Sequence, residues 1–227
     1  MRALPALAVL LLLAGCADPE APAEVAPADR PAPAVAAESG GGAEAAVPGR
    51  PAPAFTLVGT DGAERSLADY RGQTVVLEWL NYDCPFVGKH YGGGAMQALQ
   101  AQAAADGVVW LSVVSSAPGE QGHFEPAAMD ARTESEGGRQ AAVLLDADGA
   151  VGRRYGAVTT PHMFVVDADG TLVYNGAIDD TPTTDPADLA TATGYVTPAI
   201  AAARAGRPAD PARTQPYGCS VKYGDGA

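Results

Sequence analysis

Two cysteines and one acid make up the most chemically suggestive part of this 227-residue chain. Cys84 stands in Glu78-Trp79-Leu80-Asn81-Tyr82-Asp83-Cys84-Pro85-Phe86-Val87, after an apolar run and before a predicted helix. At such a junction the backbone N–H groups and the positive helix end face the sulfur. That lowers the thiol pKa and favours the thiolate, the nucleophilic form. Cys84 is therefore the candidate nucleophile. Cys219 lies in a polar C-terminal tail, Tyr217-Gly218-Cys219-Ser220, and is its candidate partner. Glu78 lies six residues before Cys84 and shares a strand face with Val76 and Leu80. A carboxyl buried there has a raised pKa and can pass a proton to or from the thiol through water, or it is simply satisfied locally.

The third cysteine reads differently. Met1-Arg2 supplies charge, and residues 4–13 form an apolar stretch too short to span a bilayer comfortably. The stretch ends in Leu13-Ala14-Gly15-Cys16, which resembles a bacterial lipobox, so Cys16 is expected to be lipid-modified. Ala17 in place of Asp favours the outer membrane. The expected organisation is a signal peptide over 1–15, a lipid-anchored disordered Ala/Pro-rich tether over 16–47, and one domain over 48–227. The expected location is the bacterial cell envelope, membrane-anchored and periplasm-facing, where the two remaining cysteines are free to pair. A net charge of −13, from 14 basic and 27 acidic residues, argues against nucleic acid as a partner.

The elements that would position Cys84 read as follows. Residues 51–58 suggest an edge strand, 59–62 a turn and 66–72 a short helical turn. Residues 74–80, 108–114 and 141–145 suggest buried strands. Helices are expected over 96–105, 126–132, 151–156 and 195–205. Residues 163–166 and 171–174 form a hairpin across Asp167-Ala168-Asp169-Gly170. Parallel strands with crossover helices, then an antiparallel hairpin and a helix, make an α/β three-layer sandwich around a mixed sheet.

Three features resemble the thioredoxin-like superfamily, and within it the redoxin branch of alkyl hydroperoxide reductase/thiol-specific antioxidant (peroxiredoxin-like) proteins. They are Phe55-Thr56-Leu57 before Asp61-Gly62, the strand leading to Cys84-Pro85, and Thr159-Thr160-Pro161-His162 before the hairpin. The resemblance covers about 48–223, and its finer match is to a subgroup with Cys84-Pro85-Phe86-Val87 and Pro216-Tyr217-Gly218-Cys219-Ser220-Val221-Lys222-Tyr223. It implies a cis peptide at Thr160-Pro161 facing Cys84. Thr160, Pro161, Pro85 and His162 would then meet the substrate, with the Thr160 backbone open to a substrate chain. It also implies a buried acid at the spacing of Glu78, and a tail cysteine, Cys219, that resolves oxidised Cys84. Cys84 would become a sulfenic acid, condense with Cys219, and be reset by an external thiol reductant.

The chain also departs from these families. The second cysteine of a Cys-x-x-Cys pair is Val87, and the Pro and Thr/Ser of a peroxidatic motif are Leu77 and Asn81. Asn81 keeps a hydrogen-bonding group where the hydroxyl would stand. The expected activity is thiol-dependent oxidoreduction without a cofactor, taking a peroxide or a protein disulfide. A copper or zinc module using Cys84, His162, His90 or His123 is the non-enzyme alternative, although the second cysteine of a Cys-x-x-x-Cys site is Gly88. Lys89 and His90, five and six residues past Cys84, read as solvated charges.

Overall fold

In the computed structural model, residues 46–224 are described. The expected signal peptide, the lipidation site Cys16 and the tether up to residue 45 lie outside them. Ala46 is already buried, and its carbonyl accepts from Asn175 Nδ2 at 2.8 Å.

The chain opens with β1 (Thr56–Gly59) and β2 (Glu64–Ser66), and a 3-10 turn at Leu67–Tyr70 whose Ser66 and Asp69 close a capping box. β3 (Val75–Trp79) leads to α1 (Pro85–Gly92) and α2 (Ala95–Ala105), separated by Gly94 at φ 78. β4 (Val109–Val114), α3 (Pro126–Ser135), β5 (Ala142–Leu145) and α4 (Ala150–Tyr155) follow. β6 (Thr159–Thr160), β7 (His162–Val166), β8 (Leu172–Gly176), a 3-10 turn at Pro186–Ala190, α5 (Val196–Arg204) and β9 (Cys219–Ser220) complete it.

A seven-stranded mixed sheet runs in the order β2-β1-β5-β4-β3-β7-β8. The three inner strands β5, β4 and β3 are parallel, and β7 and β8 close the far edge as an antiparallel hairpin. This is the expected thioredoxin-like sandwich. β3 shows why it has two cores. Its residues alternate faces. Val75, Leu77 and Trp79 pack with Tyr155 of α4 and with Leu67, while Val76 and Leu80 pack with Val87, Tyr91, Met96 and Ile200 from α1, α2 and α5. All five residues of β3 are buried, as a strand covered on both faces requires.

The main departure from expectation is at the C terminus. The polar tail is not a loose end. β9 pairs antiparallel with β6, placing Ser220 opposite Thr159 and Cys219 opposite Thr160. A two-residue strand carries no hydrophobic alternation, so its partner has to be supplied by the fold.

Candidate active site

Cys84 is the N-cap residue of α1 and is 1% exposed. β3 delivers the chain to this point, and the Asn81–Cys84 turn is closed by the Cys84 N–H donating to the Asn81 carbonyl at 3.0 Å. Pro85 takes the first helical position, where its missing N–H costs nothing. Burial by itself raises the Cys84 thiol pKa. Hydrogen bonding to the sulfur, from the Cys219 side chain and from the Cys219 and Val87 N–H groups, outweighs it, so the net direction is down. As a thiol, Sγ donates to the Thr160 carbonyl at 3.0 Å.

The opposing wall carries the Thr160-Pro161 peptide in the cis form. Gly218, at φ 139, lets the tail cross that wall: a Cβ there would collide with the Thr160 carbonyl. Cys219 follows at once, with its side chain on Cys84. Both cysteines are free thiols. Burial and the neighbouring Cys84 push the Cys219 pKa up to about 11. Cys219 therefore keeps its proton at neutral pH.

Glu78 lies on the expected face, fully buried. Its carboxylate accepts from Tyr91 at 3.2 Å, Gln100 at 3.4 Å, Trp110 Nε1 at 2.9 Å and Ser112 at 3.0 Å. Desolvation dominates these neutral donors and raises its pKa from 4.5 to about 7. None of its hydrogen bonds goes to Cys84.

Asn81 is committed to the loop: Oδ1 accepts from the Asp83 N–H at 2.9 Å, and Nδ2 donates to the Gln121 carbonyl at 3.3 Å. Gly122, at φ 86, fits against this carboxamide because it has no Cβ. His162 is also committed. Nδ1 accepts from the Val158 N–H at 3.4 Å, so Nε2 carries the proton and donates to Asn175 Oδ1 at 2.8 Å. Burial lowers its pKa to about 4, leaving it neutral. His123 Nδ1 stands 3.2 Å from the Ser116 carbonyl. Among the described residues, no three His, Cys, Asp or Glu side chains converge as a metal would require.

Lys89 and His90 correct the sequence reading: they are 1% and 2% exposed. Their turn of α1 faces the segment after β8, where Asp179 supplies the counter-charge. Lys89 Nζ stands 3.5 Å from Asp179 Oδ2 and donates to the Thr181 carbonyl at 2.6 Å. Asp179 is 90 residues from Lys89, so no local pattern announces the pair.

The family model described as Redoxin matches residues 47–193. The chain belongs to the redoxin family. Membership makes this redoxin a thiol oxidoreductase by class, without separating a peroxidase from a disulfide reductase. Its fold is similar to that of an uncharacterized conserved protein from Geobacillus kaustophilus, at 28% identity and TM-score 0.67, covering 80% of this chain and 94% of that one. It is also similar to a hypothetical protein from Sinorhizobium meliloti, at 24% identity and TM-score 0.63, covering 81% and 98%. No curated protein matches the chain. The redoxin match stops before the tail, so the strand bearing Cys219 rests on geometry.

Proposed function

We propose that the protein is a two-cysteine thiol peroxidase in which Cys84 is the nucleophile and Cys219 resolves it. The observation that carries this reading is the β6–β9 pairing, which sets Cys219 opposite Thr160 while Cys84 Sγ bonds the Thr160 carbonyl. The Cys84 thiolate attacks one peroxide oxygen, the O–O bond breaks, and hydroxide leaves and takes a proton to become water. The Cys84 sulfenic acid then condenses with the Cys219 thiol, giving the Cys84–Cys219 disulfide and a second water. Two external thiols return two electrons and two protons. The depth of Cys84 under the tail supports a small oxidant: peroxide reaches a sulfur that a folded protein cannot touch while β9 is in place.

One observation favours a second reading, protein disulfide reduction. The β6 edge already accepts a cysteine-bearing strand, and a substrate strand with a disulfide would pair there once β9 is displaced. Peroxide consumption with dithiothreitol as donor, measured beside reduction of a protein disulfide, separates the two. The peroxidase reading expects peroxide turnover that Cys84→Ser abolishes. Disulfide turnover without peroxide turnover would replace it.

The protein acts, on this reading, in the cell envelope from a lipid anchor at Cys16, which the lipobox-like Leu13-Ala14-Gly15-Cys16 supports. Cys16→Ser is expected to release it from the membrane fraction, and unchanged membrane association would remove the anchor.

A further inference from the structure

Tyr217 stands two residues before Cys219 and ties the tail to buried polar side chains. Its hydroxyl donates to Asp179 Oδ1, the carboxylate that Lys89 neutralises from the other oxygen. The same hydroxyl lies 3.4 Å from His90 Nε2. Lys89 Nζ lies 5.7 Å from the centre of the Tyr217 ring, and Phe86 meets that ring edge-on at 5.8 Å. The loop contributes the Thr181 N–H to Asp179 Oδ1 at 2.9 Å and takes Lys89 on its Thr181 carbonyl. A buried lysine and aspartate are expensive to desolvate unless every bond is made, so the socket favours one arrangement of the phenol.

Three of the residues that hold Tyr217 belong to α1: Phe86, Lys89 and His90. Cys84 is the N-cap of that helix. One rigid element therefore fixes the nucleophile and the anchor of its partner. Beyond Cys219, the attachments shift to α4 and the segment before β6. The Tyr223 hydroxyl donates to the Ala157 carbonyl at 2.8 Å, and Arg153 covers its ring at 4.7 Å.

We propose that Tyr217 is the positioning residue of the cysteine pair: by docking its phenol in the Lys89–His90–Asp179 socket it holds Cys219 against Cys84. The inference rests on the two-cysteine reading. A cysteine on a loose tail meets its partner at the concentration that a flexible tether allows, whereas an anchored one is held in near-attack geometry.

The test is a thiol–disulfide equilibrium in buffers of reduced and oxidised glutathione. It uses the full chain with Cys16 replaced by Ser, so that two thiols remain. The reaction is protein dithiol plus glutathione disulfide going to the Cys84–Cys219 disulfide plus two glutathione thiols. Acid trapping and mass spectrometry count the internal disulfide against mixed disulfides with glutathione. The wild-type pair is expected to favour the internal disulfide. Tyr217→Phe is expected to lower the effective concentration of the pair roughly tenfold, the loss of one hydrogen bond to a charged group. Phe86→Leu leaves the hydroxyl bond in place and is expected to lower it less; it carries the test if Tyr217→Phe does not fold. A merely structural role would lower the unfolding midpoint and leave the disulfide ratio unchanged. Wild-type ratios in the folded variants would overturn the inference. A wild-type chain that forms no Cys84–Cys219 disulfide would instead overturn the two-cysteine reading on which it rests.

Discussion

The two cysteines meet at one point but are held by two very different parts of the molecule. Cys84 is fixed by the redoxin body: a fully buried strand before it, a helix after it, and the Val87 N–H on its sulfur. Cys219 is fixed by a two-residue strand and by tyrosines on either side of it. The thiol pKa values diverge accordingly, down at Cys84 and up to about 11 at Cys219. On the two-cysteine reading, the sulfur with the lowered pKa ionises and attacks first while its partner keeps its proton. On the proposed reading, the body makes the reactivity and the tail makes the pairing.

The largest effects should come from the sulfurs. Cys84→Ser should abolish peroxide turnover. Cys219→Ser should leave one oxidation per chain and stop the internal disulfide, seen as Cys84 sulfenic or sulfinic acid by mass spectrometry. Equal turnover in both variants would erase the division of labour between body and tail.

The next effect concerns the socket that joins the two regions. Lys89→Met leaves Asp179 buried without its cation, and should cost about 3–5 kcal/mol in urea unfolding. A loss of less than about 1 kcal/mol, the usual worth of an exposed pair, would mean that the socket is open to water.

The body alone should show a pH signature. The Glu78 pKa is raised in the folded state to about 7, so its contribution to stability is fully present below about 4.5 and lost as pH rises through about 7. His90 and His162 are lowered to about 4, both chiefly by burial, which at His90 outweighs the opposing pull of Asp179 and is aided by Lys89. Their contribution is present above about 6.5 and lost as pH falls through about 4. The opposing slopes overlap and partly cancel. Glu78→Gln removes one of them and should make stability rise from pH 4 to 6.5 more steeply than in the wild type, by about 3 kcal/mol at pH above 7. Parallel pH profiles would show that Glu78 titrates alike in the folded and unfolded chain. The smallest effect belongs to the outer anchor: Tyr223→Phe should cost about 1 kcal/mol and leave the cysteine pair near its wild-type ratio.

The sequence was most legible where its signals were local. The apolar run before Cys84, the helix after it and the face of Glu78 follow from short-range pattern, the cis Thr160-Pro161 peptide follows from the family resemblance, and the structure has each of them. Helix and strand ends moved by up to three residues, as fraying and turn geometry dictate, except at the first edge strand, which starts five residues late at Thr56. The tail was opaque for a physical reason. β9 has no apolar alternation, and its order comes from backbone bonds to β6 and from sockets built far away in the chain. The same holds for Lys89 and His90, which read as solvated because the carboxylate that admits them to the interior lies on a loop beyond β8. A clue was present in Tyr217, an aromatic next to Gly218-Cys219 in a tail otherwise read only as polar.

Whether Cys219 resolves Cys84 is read directly from a mass-spectrometric map of the reduced full-length protein after one equivalent of hydrogen peroxide. A new Cys84–Cys219 disulfide is expected within each chain. Oxidation confined to Cys84 with Cys219 still a thiol, or no change at either sulfur, would contradict it.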